Sequence, residues 1–221
     1  MFEELLKLFK KENLLDQAFR TTVKMLESDE EMFEASVNSL RRQNTSDLPF
    51  DIYEKDKQIN QFERDVRRNV LTHMTVSDKK NVSAGLVLIS IVIDVERIGD
   101  YTKNIAELAS EHRKKLHGGI FEADLVEIEK TVQKRFKDLT RALIEKDVVT
   151  ARQIMNSHKD LSSMSDRALA GIIAEQDKAL PVGSAVVLAL YFRYLKRIAS
   201  HLTNIASSVV NPFPRIGFRE E

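Results

Sequence analysis

A short string near the middle of the chain occurs twice, and that recurrence restricts the fold more than any other feature. Arg97-Ile98 followed by Asn104-Ile105-Ala106 returns about 100 positions later as Arg197-Ile198 followed by Asn204-Ile205-Ala206. Around the first copy Val87, Ile91, Val95, Ile98, Thr102 and Ile105 recur three or four residues apart, the spacing of one helix face. Glu96 and Asp100 lie four apart on the same helix, so their carboxylates project from one side about a turn from each other. Two acids so placed repel unless a cation lies between them. In the second copy Glu96 has become Lys196 and Asp100 has become Ser200. The chain reads as a duplicated helical unit in which one copy keeps an acidic site and the other has lost it.

The rest of the chain fills in three helices per copy. Only 7 Gly and 4 Pro interrupt 221 residues. A first helical tract is predicted from Phe2 to Arg42, jointed near Asn13, with Phe19, Val23, Leu26, Met32 or Phe33, Val37 and Leu40 on its apolar face. Asn44 to Pro49 is a polar stop. A second helix runs from Asp51 to His73 with Ile52, Ile59, Phe62, Val66 and Val70 inward. Ser77-Asp78 caps a third, which carries the central motif to about Leu116 and ends at Gly118-Gly119. Helices from Phe121 to Lys146, from an Asp147 cap through Ile172, and from Pro181 to Val210 repeat the layout, and Asn211-Pro212-Phe213-Pro214 closes the last. No segment alternates with period two for long enough to make a sheet. The expected fold is all-α: a tandem repeat of two three-helix bundles, residues 1–117 and 118–221, with six principal antiparallel helices related by a pseudo-two-fold axis.

Composition excludes several classes of function. Hydrophobic residues make up 43% of the chain, ample for a core, and charged residues 31% at zero net charge, which gives no electrostatic reason to expect nucleic acid. The absence of cysteine removes disulfides, thiolate metal sites and cysteine nucleophiles. The amino terminus is too acidic and interrupted for a secretory signal. The longest apolar stretches run for about 11 residues, whereas a membrane span needs about 20. A soluble, cytoplasmic protein without membrane insertion is the expectation. Nothing assembles a nucleophile, a base and an orienting acid, and there is no phosphate-cradling Gly-rich loop. Glu-x-x-His pairs of a di-metal oxidase are missing too. The chain does not read as an enzyme.

Glu96-Arg97-Ile98-Gly99-Asp100 followed by Asn104-Ile105-Ala106 resembles the signature of the PhoU family of phosphate-uptake regulators. Asp56-Lys57-Gln58-Ile59-Asn60-Gln61-Phe62-Glu63 is similar to that family's Asp-Lys-x-x-Asn/Asp-x-x-Glu segment. The tandem layout and the proline before the last helix extend the resemblance over nearly the whole chain. It implies a cytoplasmic regulator that restrains phosphate import and links the phosphate transporter to its sensor histidine kinase. It also implies metal, iron or other divalent ions, on the acidic helix surfaces.

The residues themselves support a metal reading. Asp56, Asn60 and Glu63 fall at i, i+4 and i+7 on one helix, and Glu96 and Asp100 on the next. If the two helices pack antiparallel, the stripes face each other and offer an all-oxygen site suited to Mg, Mn or Fe. The plain alternative is a solvated acidic face neutralised by Arg97, Lys57 and Arg64. Then the protein is a structural adaptor that binds a basic partner without metal. Regulation of a different transporter is open as well. In the second copy His158 and Ser162 stand for the acid and Asn, and Lys196 and Ser200 for the acids, so no second metal site is expected there. His158 and His201 could be read as ligands, but each has only hydroxyl or basic company, and a partly buried or surface histidine is the plainer reading. Gly99, replaced by Ala199, fits close helix approach. Arg97 and Arg197 suggest a shared scaffold role inside each bundle. Tyr191-Phe192-Arg193-Tyr194 reads as core and interface packing. Phe2, Leu5, Leu8 and Phe9 are apolar residues that neither bundle needs, which suggests a homodimer.

Overall fold

A computed structural model of the protein describes residues 14–43, 47–76 and 81–220. The expected joint at Asn13, the cap at Ser77-Asp78 and the apolar residues Phe2, Leu5, Leu8 and Phe9 lie outside the described residues. Among the described residues the chain is all-α, with no strand. The elements are α1 (Leu14–Arg42), α2 (Ile52–Val76), α3 (Val82–His112), α4 (Glu122–Glu145), α5 (Val148–Asn156), α6 (His158–Ile173) and α7 (Val182–Val210), with 3-10 turns at Gly119–Phe121 and Phe213–Arg215. Helices α5 and α6 are one principal helix jointed at Ser157, so six principal helices stand in two sets of three. No described helix is long and apolar enough to cross a membrane.

The helix starts follow from local chemistry. Asp51 Oδ1 accepts from the backbone N–H of Tyr53 (2.9 Å) and Glu54 (3.2 Å), which caps α2. Asp147 caps α5 through Val149 N–H (3.0 Å) and Thr150 N–H (3.1 Å), as its sequence position predicts. Pro181 stands just ahead of α7, where its missing N–H costs nothing. One boundary differs from the expectation. Helix α3 stops at His112 rather than near Leu116, because Arg113 turns left-handed (φ 49°) and Leu116 is drawn under α1, its N–H bonding Leu40 carbonyl at 2.9 Å. Burying Leu116 outweighs the strain of a non-glycine residue at positive φ.

Helices α3 and α7 are the most apolar and lie at the centre. α1 and α2 flank α3, and α4, α5 and α6 flank α7; the halves join where α3 packs on α7 and α1 on α4. The duplication is visible residue by residue. Each position from Ile91 to Ala106 matches in burial its counterpart from Tyr191 to Ala206. With Phe136 laid on Phe33, every buried position of α4 falls on a buried position of α1. The equivalent residues Phe33 and Phe136 meet each other, ring centroids 5.4 Å apart, and so do the equivalent Tyr101 and His201 at 5.8 Å. Contacts between equivalent positions are what a pseudo-two-fold axis produces. Tyr191 and Phe192 are fully buried, as core packing requires, and the Tyr191 hydroxyl donates to Glu129 (2.8 Å). Glu129 also accepts from Arg41 Nε (2.7 Å), which ties α1 to α4.

Candidate metal centre on the first bundle

Antiparallel packing of α2 on α3 sets the two acidic stripes against each other. Asp56 lies opposite the Asp100–Lys103 turn, and Glu63 opposite Glu96. Four of the five predicted residues, Asp56, Glu63, Glu96 and Asp100, therefore share one surface. Asn60 sits between them, but its amide turns back on its own helix, Nδ2 donating to Asp56 carbonyl at 3.1 Å.

Cations already answer this patch, Arg97 among them as the sequence suggested, but with Lys103 and Arg67 in place of Lys57 and Arg64. Lys103 Nζ bridges the helices, 2.9 Å from Asp56 Oδ1 and 3.3 Å from Asp100 Oδ1. Burial opposes its charge, yet the bonds to Asp56 and Asp100 outweigh burial and hold the ammonium above its ordinary range. Arg67 pairs with Glu63 (2.8 Å). Arg97 lies 3.1 Å from Asp100 and 3.5 Å from Glu96, and its side chain is 54% exposed. It therefore serves the surface and not the bundle interior, and Arg197 is exposed in the same way. Lys57 and Arg64 point elsewhere, to Glu54 and Gln61. Among the described residues no three carboxylates or imidazoles are gathered as a ready-made metal site.

Beneath the patch lies a residue the motif reading missed. Asp29 of α1 is fully buried, and among the described residues neither carboxylate oxygen has a hydrogen-bond partner. Burial drives its pKa well above the ordinary carboxylate range, and the charges of Glu96, Asp56 and Asp100 push the same way. Glu96 is also raised, by burial first and Asp100 second. Gly99 makes room for Asp29: a Cβ there would come 2.9 Å from Asp29 Oδ1 and 3.2 Å from Ile59 Cδ1. The signal was present in the sequence, since Asp29 falls in register with Met25, Leu26, Met32 and Phe33 on the buried stripe of α1. An acid on an apolar stripe needs a partner, a proton or a cation.

The donor set suits a hard cation. It consists of carboxylate oxygens from three helices, one of them a buried acid without a partner. Asp29, Asp56, Glu96 and Asp100 would hold such an ion, with Glu63 beside them, once Lys103 swings aside. Bound there, the ion would neutralise the mutual repulsion of the acids.

The PhoU domain matches this chain twice, over residues 22–109 and 125–209. The chain belongs to the PhoU family. It is 25% identical over 205 residues to a phosphate-specific transport system accessory protein PhoU homolog from Synechocystis sp., a match covering 86% of this chain and 89% of that one. PhoU from Pseudomonas aeruginosa superposes with a TM-score of 0.80 at 22% identity, covering 89% of this chain and 95% of its own. The phosphate transport system regulatory protein PhoU from Streptococcus pneumoniae gives a TM-score of 0.68 at 18% identity, covering 93% and 94%. At those identities the two PhoU structures establish the shared fold of paired three-helix bundles.

Across the groove between the halves, His201 contradicts the company its own copy suggested. Its Nδ1 lies 2.7 Å from Asp94 Oδ1 on α3, and Asn204 Nδ2 donates to the same oxygen at 3.3 Å. The histidine is a fastener between bundles.

Proposed function

We propose that this protein is an accessory regulator of phosphate transport that acts through protein contacts, with a cation-responsive acidic surface on its first bundle. Its PhoU relatives, a phosphate-specific transport system accessory protein homolog and a phosphate transport system regulatory protein, support the transport role. The single observation behind the cation is the buried, unpartnered Asp29 carboxylate beneath Asp56, Glu96 and Asp100. Uptake of a divalent or ferric ion would convert a repelling patch into a neutral, ordered one, which changes the surface offered to a partner. The partners in this reading are phosphate transporter components and a sensor histidine kinase. The site of action is the cytoplasmic face of the transporter, with the regulator itself a homodimer and not an enzyme.

A second reading has an observation of its own. Lys103 and Arg97 pair with Asp56, Asp100 and Glu96 without any metal, and in this reading the face is a metal-free adaptor whose acids exchange those ion pairs for the charges of a basic partner.

Calorimetric titration of chelator-treated protein with Mn²⁺ or Fe²⁺ separates the two. The Glu96→Lys, Asp100→Ser double variant carries the residues of the second copy and should fold normally but lose cation uptake. Undiminished uptake in that variant would sink the metal reading. In cells lacking the gene, phosphate import should become unrestrained, and the double variant should fail to restore control.

A further inference from the structure

The second bundle repeats the architecture of the first with the opposite charge at its heart. On α4, Val132 takes the place of the buried Asp29, and one turn on Arg135 takes the place of the buried Met32. Arg135 is 2% exposed, yet among the described residues it has no carboxylate partner. Its Nη2 donates to Ser157 Oγ (2.8 Å), its Nη1 makes a long contact to Thr203 Oγ1 (3.5 Å), and its Nε has no partner at all. Burial pushes its pKa down to about 10, which leaves the guanidinium charged at neutral pH. The contrast with Arg41 is instructive, because that arginine is nearly as enclosed and is met by Glu122 and Glu129. A buried arginine without a counter-charge is costly to keep unless something else supplies the anion.

A cavity of about 670 Å³ lies between α5, α6, α7 and the tail that follows α7, and Arg135 sits behind its wall, in contact with the lining residue Thr203. His158, Ser162, Ser200, Thr203, Asn204 and Arg219 line it. It occupies the place in the second bundle that the acidic patch occupies in the first: Ser200 stands for Asp100 and Thr203 for Lys103. His158 Nδ1 is buried without a partner, and burial, then Arg135 and Lys196, lower its pKa. Ser200 and Thr203 hydroxyls bond back to the carbonyls of Lys196 (2.9 Å) and Ala199 (2.7 Å), weak local bonds that a ligand can replace. One acid, Glu220, lines the cavity and is paired with Arg152 (2.5 Å), and Asp94 nearby is paired with His201 (2.7 Å).

We propose that this cavity binds a small tetrahedral oxyanion, free phosphate or the phosphoryl group of a small ester, with Arg135 as its charge partner and the hydroxyls and His158 as its hydrogen-bond shell. The residue types agree with that chemistry, since a guanidinium offers a planar fork of donors to phosphoryl oxygens and hydroxyls adapt to the remainder. A metal cation is disfavoured here by Arg135, whereas Lys196 close by is already paired with Asp166 (2.6 Å). The inference stands on the second bundle alone and is independent of the cation reading of the first.

The test is calorimetry and thermal melting of the full chain, with chelator present, against sodium phosphate, sodium sulfate and glycerol phosphate, with sodium chloride at matched ionic strength as control. Phosphate and sulfate should raise the melting temperature beyond chloride. Arg135→Met should abolish that rise while melting no lower than the parent in chloride, because it removes an uncompensated charge. Ser200→Asp, which returns an acid to the cavity, should weaken phosphate binding at least tenfold even if the Arg135 variant does not fold. The Glu96→Lys, Asp100→Ser variant should bind phosphate normally, whatever it does with metal. Tighter binding of glycerol phosphate than of inorganic phosphate would identify an ester as the ligand, and the reverse the free anion. No oxyanion effect beyond chloride, or binding unchanged in Arg135→Met and Ser200→Asp, would overturn the proposal.

Discussion

His201 of α7 and Asp94 of α3 meet at 2.7 Å across the junction of the two bundles, with the Tyr101 ring stacked on the imidazole. The pair is partly buried on both sides and joins the halves by a hydrogen bond to a charged group. Asp94→Ala should lower stability by about 1.5–3 kcal/mol, the usual loss for such a bond. Urea denaturation measures it, and an unmoved midpoint would show that the contact is ornamental.

Gly99 of α3 faces Asp29 of α1, and its missing Cβ leaves space for that carboxylate. Gly99→Ala should cost about 1–3 kcal/mol, the range for forcing an extra carbon into a packed interior. The loss should shrink when Asp29 is also cut to Ala, giving a coupling energy in a double-mutant cycle.

Asp29 carries an unsatisfied carboxyl into the core of the metal-free protein. Replacing it with Val, the residue at the matching position of α4, should stabilise the metal-free chain by about 1–3 kcal/mol. Any extra stability conferred by Mn²⁺ should vanish in the same variant. Melting curves with and without the ion check both halves of the expectation.

Lys103 competes with any cation for Asp56 and Asp100. Lys103→Thr, the residue of the second copy, should tighten Mn²⁺ binding about tenfold, a gain of roughly 1.4 kcal/mol. Titration calorimetry reads the change directly. Equal affinity in parent and variant would mean that the ammonium leaves at no cost.

His158 gives the molecule a pH dependence of known sign. Burial, Arg135 on α4 and Lys196 on α7 lower its pKa from the ordinary value of 6.5. Between the two values the unfolded chain holds a proton that the folded chain refuses, so stability falls as pH drops below about 6.5. His158→Gln should flatten that fall in buffers free of phosphate and sulfate. His112, also lowered by burial and by Lys114, and Asp29 and Glu96, raised by burial and acting with the opposite sign, leave a residual slope in both proteins, so the difference between them is the quantity to measure.

The helices were legible because each buries one stripe, and a stripe leaves a periodic trace in sequence. Asp56, Glu63, Glu96 and Asp100 were legible as a group for the same reason, since two antiparallel helices with acidic stripes have few ways to pack. Asp29 and Lys103 escaped because their importance is relational. Asp29 matters through the α3 acids that surround it, and Lys103 through an acid on the neighbouring helix. His201 looked idle because Asp94 lies more than a hundred residues away in the chain. Arg135 looked like any other arginine among 34 basic residues, because burial without a counter-charge leaves no mark in local spacing.

The contacts of Phe33 with Phe136 and of Tyr101 with His201 place equivalent positions face to face, as a dimer of identical subunits would. Identical subunits, however, are bound to present the same charge at both ends. Fusing the two copies into one polypeptide lifts that constraint, and here the equivalent faces have drifted to Glu96 and Asp100 on one bundle and Lys196 and Ser200 on the other. The result is a molecule with a head and a tail. A protein docking on one chain would meet a different charge on each bundle and could tell them apart, a distinction that two identical copies do not offer.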